Sequence, residues 1–270
     1  MKQFVVLLFS SLLVGCANET IKEKAIADET PILSELTPER VEKVQEVFAT
    51  IPSPMETADL FYRSEMEYIP GATNPAENVN NYVTNGKKAL NLGVYGADLS
   101  YANVFDQSQE SMIYINCSKK MSDGLDVSSA FDIATIERIE RSVNNRDSLM
   151  VIIDDAFKII EAHLNETGQD HLSALIMTGG WIEGLYLGTR TLDKENPDVE
   201  LMNRIVAQKT SLTSLMDLLI TYDNTAVIAV ENKMKPLQAA YDKVDEKADN
   251  KAAVLEIEAA VTQIRAQIIQ

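Results

Sequence analysis

The stretch Ala174 to Arg190 constrains the fold more than any other part of this chain. Its residues Ala-Leu-Ile-Met-Thr-Gly-Gly-Trp-Ile-Glu-Gly-Leu-Tyr-Leu-Gly-Thr-Arg are apolar nearly all round a helix. Such a helix belongs in the core of a sizeable domain. It is too short to span a bilayer, and Glu183 interrupts it. Each glycine inside a helix costs up to about 1 kcal/mol relative to alanine, so several together require a compensating gain. Gly180, Gly184 and Gly188 are spaced by four and fall in one row. A second stretch, Asn91 to Asp106, has the same character, with Gly93 and Ala97, then Gly96 and Ser100, four apart. Rows of small residues let backbones approach closely. Both stretches are predicted to be central helices packed on each other.

The rest of the chain is helical in pattern. Leu149, Ile152, Ile153, Ala156, Ile159, Ile160, His163 and Leu164 form one apolar stripe. Val41, Val44, Val47 and Phe48 form a shorter one, and Leu201, Ile205, Leu212, Leu215, Met216 and Leu219 a longer one. Val254, Ile257, Val261, Ile264 and Ile268 alternate steps of three and four, the seam of a helix lying lengthwise on a neighbour. Thr37-Pro38, Ser53-Pro54-Met55-Glu56, Asn74-Pro75-Ala76-Glu77 and Asn196-Pro197-Asp198 read as helix starts. Strand signals are scarce, and Asn85-Gly86 lies inside a helical pattern. The expected fold is an all-α bundle of about ten helices built from antiparallel hairpins. The alternative is a tetratricopeptide-like α-solenoid. Leu92-Gly93-Val94-Tyr95 with Ala102 and Phe105 resembles one such repeat, but Gly and Tyr stand one residue too close, the leading Trp is absent and no second copy follows.

Ahead of this body, Lys2 precedes the apolar run Phe4 to Val14, which ends in Leu13-Val14-Gly15-Cys16. The run is too short for a permanent span and has the layout of an export signal. The motif resembles that of bacterial lipoproteins. The resemblance implies that the Cys16 thiol receives a diacylglycerol, that the peptide is cut before Cys16, and that the new amino terminus is acylated. Acyl chains anchor at about 0.8 kcal/mol per buried methylene. The expected organisation is a signal peptide at residues 1–15, a lipidated N-terminus and tether at 16–36 with a reach of roughly 25 Å, and one helical domain at 37–270.

Net charge sharpens this picture. Without Lys2, 23 Lys+Arg remain against 41 Asp+Glu, a net of −18. Such a body repels nucleic acid and anionic lipid, so the acyl chains would be the membrane contact. Cys117, the second of two cysteines, is then without an internal disulfide partner and reads as a small buried hydrophobe.

The carboxylates inside the two glycine-bearing stretches are the candidate site. A buried carboxylate must be paired, hydrogen-bonded or protonated. Glu183 and Asp98 are expected to meet tyrosines, helix ends or an arginine such as Arg190. The functional alternative is a small pocket lined by Asp98, Tyr101, Trp181, Glu183 and Tyr186, suited to a cationic or polyhydroxylated ligand. His163 and His171 flank Glu166 and Asp170, but His163 falls on an apolar stripe, so a core histidine is expected and no metal site. Phosphate loops, nucleophile elbows, HExxH and dinucleotide turns are absent from the sequence, so neither a cofactor nor an enzyme is expected.

Leu90 to Tyr101 and the glycine row around Trp181 also resemble the uncharacterised all-helical lipoproteins of Bacteroidota. That resemblance implies a lipid-anchored place in the cell envelope. With Ala17 following Cys16 and only one acid in Ala17-Asn18-Glu19-Thr20, an outer-membrane position facing the periplasm is expected. The expected function is non-enzymatic binding or scaffolding of a protein partner. The alternative is a small-ligand-binding lipoprotein with its pocket near Asp98 and Glu183.

Overall fold

The computed structural model describes Val47 and residues 67–195, 197–245 and 249–270. All of them belong to one unit, Ser34–Gln270. Cys16, the signal and tether, the helix starts at Thr37 and Ser53, and most of the stripe around Val44 lie outside the described residues.

The described residues are all-helical, with eight α-helices and two 3-10 turns, Ala76–Asn80 and Ser128–Phe131. The helices are α1 (Asn85–Val104), α2 (Ser108–Asp123), α3 (Ile133–Ser142), α4 (Arg146–Glu166), α5 (Asp170–Arg190), α6 (Val199–Leu219), α7 (Thr225–Tyr241) and α8 (Lys251–Ile268). Short polar side chains start most of them by accepting from first-turn amides that have no partner inside the helix. Thr84 caps α1, Asp132 α3, Asn145 α4, Asp198 α6 and Asn224 α7. Between α4 and α5 the chain reverses at Gly168, whose φ of 70° suits a residue without a Cβ. The arrangement at Asn74-Pro75 differs from the expected helix start: it opens only the short 3-10 turn, without a side-chain cap. Pro236 stands inside α7, away from the helix boundaries favoured by proline.

Helices α1 and α5 form the centre. Seventeen residues of each are buried, so neither has an ordinary solvent face. An added Cβ at Gly93 would lie 1.9 Å from the Ile176 carbonyl oxygen, and one at Gly179 would lie 2.0 Å from that of Leu90. The two backbones therefore touch, and only glycine permits it at these two points. The contact row of α5 includes Gly179 and Gly180. Around this pair, α2 and α4 flank α1, while α4, α6 and α8 flank α5. The seam of α8 is buried from Val254 to Ile268 and faces both α7 and α5. Contacts of α1 with α5 and α8 join helices remote in sequence, unlike a one-dimensional stack in which each repeat meets only its neighbours. On α4 the stripe is buried from Leu149 to Leu164, except that Ile159 is exposed and His163 only partly covered.

Candidate functional site

One turn beyond the glycine contact, the same two helices carry a buried charge cluster. Asp98 on α1 and Glu183 on α5 are each 0% exposed. The two carboxyls are close enough for each to influence the other's hold on a proton. The third member, Arg265, comes from α8. Its Nε donates to Glu183 Oε2 at 3.0 Å and Oε1 at 3.3 Å, and its Nη2 donates to Oε1 at 2.9 Å. Nη2 also donates to the Ala72 carbonyl at 3.1 Å. The planar guanidinium matches a carboxylate in this two-pronged way, which a lysine could not. Arg265 lies over the Tyr186 ring at 4.5 Å, and Arg190 lies near the same ring at 5.9 Å. Arg265 and Tyr186 are each 9% exposed, so the cluster comes closest to solvent on that side.

The segment before α1 closes the other side. The Asn74 amide donates to Asp98 Oδ2 at 3.1 Å. Its side-chain nitrogen donates to the Tyr82 hydroxyl at 3.0 Å and reaches Asn91 Oδ1 at 3.4 Å. Asn91, two turns before Asp98 on the same face of α1, donates to the Ile268 carbonyl at 3.2 Å. Tyr82 donates to the Ile269 carbonyl at 3.1 Å. One polar network thus ties α1, α5, the end of α8 and the segment Ala72–Tyr82 together.

The charges are uneven in their settings. Burial drives the Asp98 carboxyl far above the ordinary carboxylate range, and the facing Glu183 pushes it the same way. Arg265 and the Asn74 amide only partly oppose this. Burial also raises Glu183, but Arg265 holds it back. Every carboxylate contact of Arg265 in the cluster goes to Glu183, so Asp98 is the acid and Glu183 the anion. Burial works against the Arg265 charge, yet Glu183 and Asp98 outweigh it and its pKa rises.

Of the five residues expected to line one pocket, the structure brings three together: Asp98, Glu183 and, through Arg265, Tyr186. Tyr101 stands apart. Its hydroxyl accepts from the Ile69 amide at 2.8 Å, and its ring packs on Tyr68 and Phe105. Trp181 also stands apart, donating to Gln208 on α6 at 3.2 Å. It is two residues from Glu183, which puts it across the helix. The arginine that meets Glu183 is Arg265, not Arg190. Arg265, Asn74, Asn91 and Tyr82 are the residues that sequence reasoning missed. One signal was available: Glu258 and Arg265 are seven apart beside the α8 seam, and both are buried, Glu258 pairing with Lys194 at 2.8 Å. Cys117 is buried, and burial pushes its thiol up to about 11.

No family model, no curated protein and no solved structure matches this chain.

Proposed function

We propose that the chain is a lipid-anchored envelope protein whose helical body binds or scaffolds a protein partner without catalysing a reaction. Leu13-Val14-Gly15-Cys16, behind Lys2 and the apolar run, supports lipidation at Cys16 and an outer-membrane position facing the periplasm. The net of −18 supports lipid, rather than charge, as the membrane contact. No helix among the described residues is long and apolar enough to cross a membrane. About ten helices in antiparallel hairpins is the reading for the whole body.

The observation that carries the non-enzymatic reading is the occupancy of the charge cluster. Arg265 stands where a cationic ligand would have to bind Glu183, and the Asn74 amide takes up one oxygen of Asp98. The polar chemistry at the centre is spent inside the fold, which leaves the outer helix faces for recognition. A small-ligand site near Asp98 and Glu183 is the second reading, favoured by the meeting of these two acids beside Tyr186.

Two measurements test the proposal. Cells fed an alkyne analogue of palmitate should label the protein in the membrane fraction, and Cys16→Ala should lose the label and the membrane association. Equal labelling of both would overturn the anchor. Photo-crosslinkers at the exposed Val199 and Ile220 should repeatedly capture one same envelope protein from intact cells. Random capture, together with a small ligand whose binding is lost in Asp98→Asn and Glu183→Gln, would favour the second reading.

A further inference from the structure

Arg265 is gripped on two sides, but one of its nitrogens is left over. A guanidinium can donate through Nε, Nη1 and Nη2. In Arg265, Nε and Nη2 supply every bond to Glu183 and to the Ala72 carbonyl. Nη1 meets no acceptor among the described residues, and it is not shut off from solvent. The Tyr186 hydroxyl is in the same position, without a hydrogen bond among the described residues and not sealed from water. At the end of α5, Arg190 is exposed and makes neither a hydrogen bond nor an ion pair among the described residues. Glu258, a buried acid two turns before Arg265 on α8, is tied to Lys194 at 2.8 Å instead. The guanidinium carbons of Arg265 and Arg190 lie over the one Tyr186 ring, 4.5 Å and 5.9 Å from its centre, so their separation cannot exceed the sum of these distances.

We propose that Arg265 Nη1, the Tyr186 hydroxyl and the Arg190 guanidinium form a binding site for one oxyanion, the carboxylate or phosphate of a small acid. Unspent N–H groups on two guanidiniums match the oxygens of an anion and repel a cation. The two arginines divide the work. Arg265 supplies direction: its two-pronged bond to Glu183 and the ring beside it hold Nη1 in one orientation, so little freedom is lost when an anion arrives. Glu183 also cancels the Arg265 charge, so the charge that the anion meets is that of Arg190. Arg190 is the arm that closes, because it is exposed and its long stem is free to turn. Arg265 and Tyr186 are each 9% exposed, an opening that admits the head of a small acid rather than a bilayer or a broad protein face. The acidic body repels a polyanion but bears much less on a single carboxylate or phosphate. The site needs neither a lipid anchor nor a protein partner, and its ligand is opposite in charge to the cation that two carboxylates alone would select.

Calorimetric titration of the full chain with inorganic phosphate and with acetate, at an ionic strength fixed with sodium chloride, tests the site. Saturable binding of at least one of the two anions is expected. Arg190→Gln removes an exposed charge and leaves the buried cluster intact, so the chain should fold as before while the affinity falls about tenfold. Tyr186→Phe keeps the ring that both guanidiniums lie over and should weaken binding about threefold. In nitrogen-15 spectra, the Arg265 Nε–H and the amides of Tyr186 to Arg190 should shift along the same saturation curve. Absence of saturable binding for both anions overturns the proposal, as does unchanged affinity in Arg190→Gln. Shifts spread over the lysine-bearing segments with the Arg265 Nε–H unmoved would show general attraction of ions, and would overturn it as well. None of these readings changes with the state of Cys16, so the site can fail while the anchor stands, or stand while the anchor fails.

Discussion

The glycine contact and the charge cluster sit one turn apart on the same two helices, and they hold the molecule together by opposite means. At Gly93 and Gly179 nothing intervenes between the backbones, and the geometry is fixed by volume alone. At Asp98 and Glu183 side chains meet, and the geometry is fixed by charge and hydrogen bonding. The first region is indifferent to pH and intolerant of a methyl group. The second depends on the paired charges of Arg265 and Glu183.

The largest expected effect breaks the first region. An alanine methyl at Gly93 would overlap the Ile176 carbonyl, and one at Gly179 that of Leu90. Both obstacles are backbone, so relief requires moving α1 from α5 along their whole contact. Gly93→Ala and Gly179→Ala should each cost more than about 4 kcal/mol, enough to prevent folding in a marginally stable chain. Circular dichroism melts would show it, and a loss under about 1 kcal/mol would mean that the helices do not touch.

The next effect breaks the second region from the base side. Arg265→Ala leaves Glu183 buried without its cation and the Ala72 carbonyl without a donor. Losing one partner of such a pair should cost about 3 kcal/mol or somewhat more. Denaturant midpoints check this. Glu183→Gln in the Arg265→Ala background should recover part of the loss, because it removes the stranded charge.

These two effects also mark what the sequence disclosed. The all-helical class, the two central helices and the seam of α8 were legible because clustered glycines and apolar stripes mark them directly, although α5 meets α1 most closely at Gly179, outside the row Gly180, Gly184 and Gly188, and Gly96 faces Phe157 on α4. Asp98 and Glu183 were legible because a carboxylate inside an apolar stretch must be answered. The answer was not legible. Arg265 follows Ile264 on α8, and the one local sign that its guanidinium turns inward is Glu258, seven residues before it beside the same apolar seam. Asn74 was read as a helix cap, since Asn-Pro with Glu77 has that spacing, while the fold uses its amide and side chain in a network spanning 24 residues to Asp98. Tyr101 and Trp181 were grouped with the acids by closeness in sequence, although helical rotation carries Trp181 across α5 and Tyr101 is drawn to Ile69. Contacts between distant elements carry no local period, which is why they escaped.

A smaller effect sharpens the charge side by pH. Asp98 holds its proton more tightly in the folded chain than in the unfolded one. The unfolded state then binds fewer protons, so stability falls as pH rises. The contribution is whole below about pH 4, the ordinary carboxylate value, and is lost as pH climbs through the raised folded value. Within that window the slope should reach about 1.4 kcal/mol per pH unit. The unfolding free energy of Asp98→Asn minus that of the wild type should therefore grow with pH. A difference that stays flat as pH rises above the ordinary carboxylate range would place the proton elsewhere.

The smallest effect sharpens the volume side, and it lies on the same helix as the largest. Gly96 is one turn from Gly93, yet an added Cβ there would meet the Phe157 ring at 2.5 Å instead of a backbone. Phe157 is only partly buried on α4, and the atom approached is the far tip of its ring. A ring can swing where a carbonyl in a helix cannot. Alanine also gains up to about 1 kcal/mol over glycine inside a helix, which offsets the cost of shifting the ring. Gly96→Ala should thus change stability by less than about 1 kcal/mol in either direction. If thermal melts showed Gly96→Ala to be as damaging as Gly93→Ala, α4 would have to be held as rigidly against α1 as α5 is. The distinction between backbone contact and side-chain contact, rather than the presence of glycine itself, would then no longer separate the two positions.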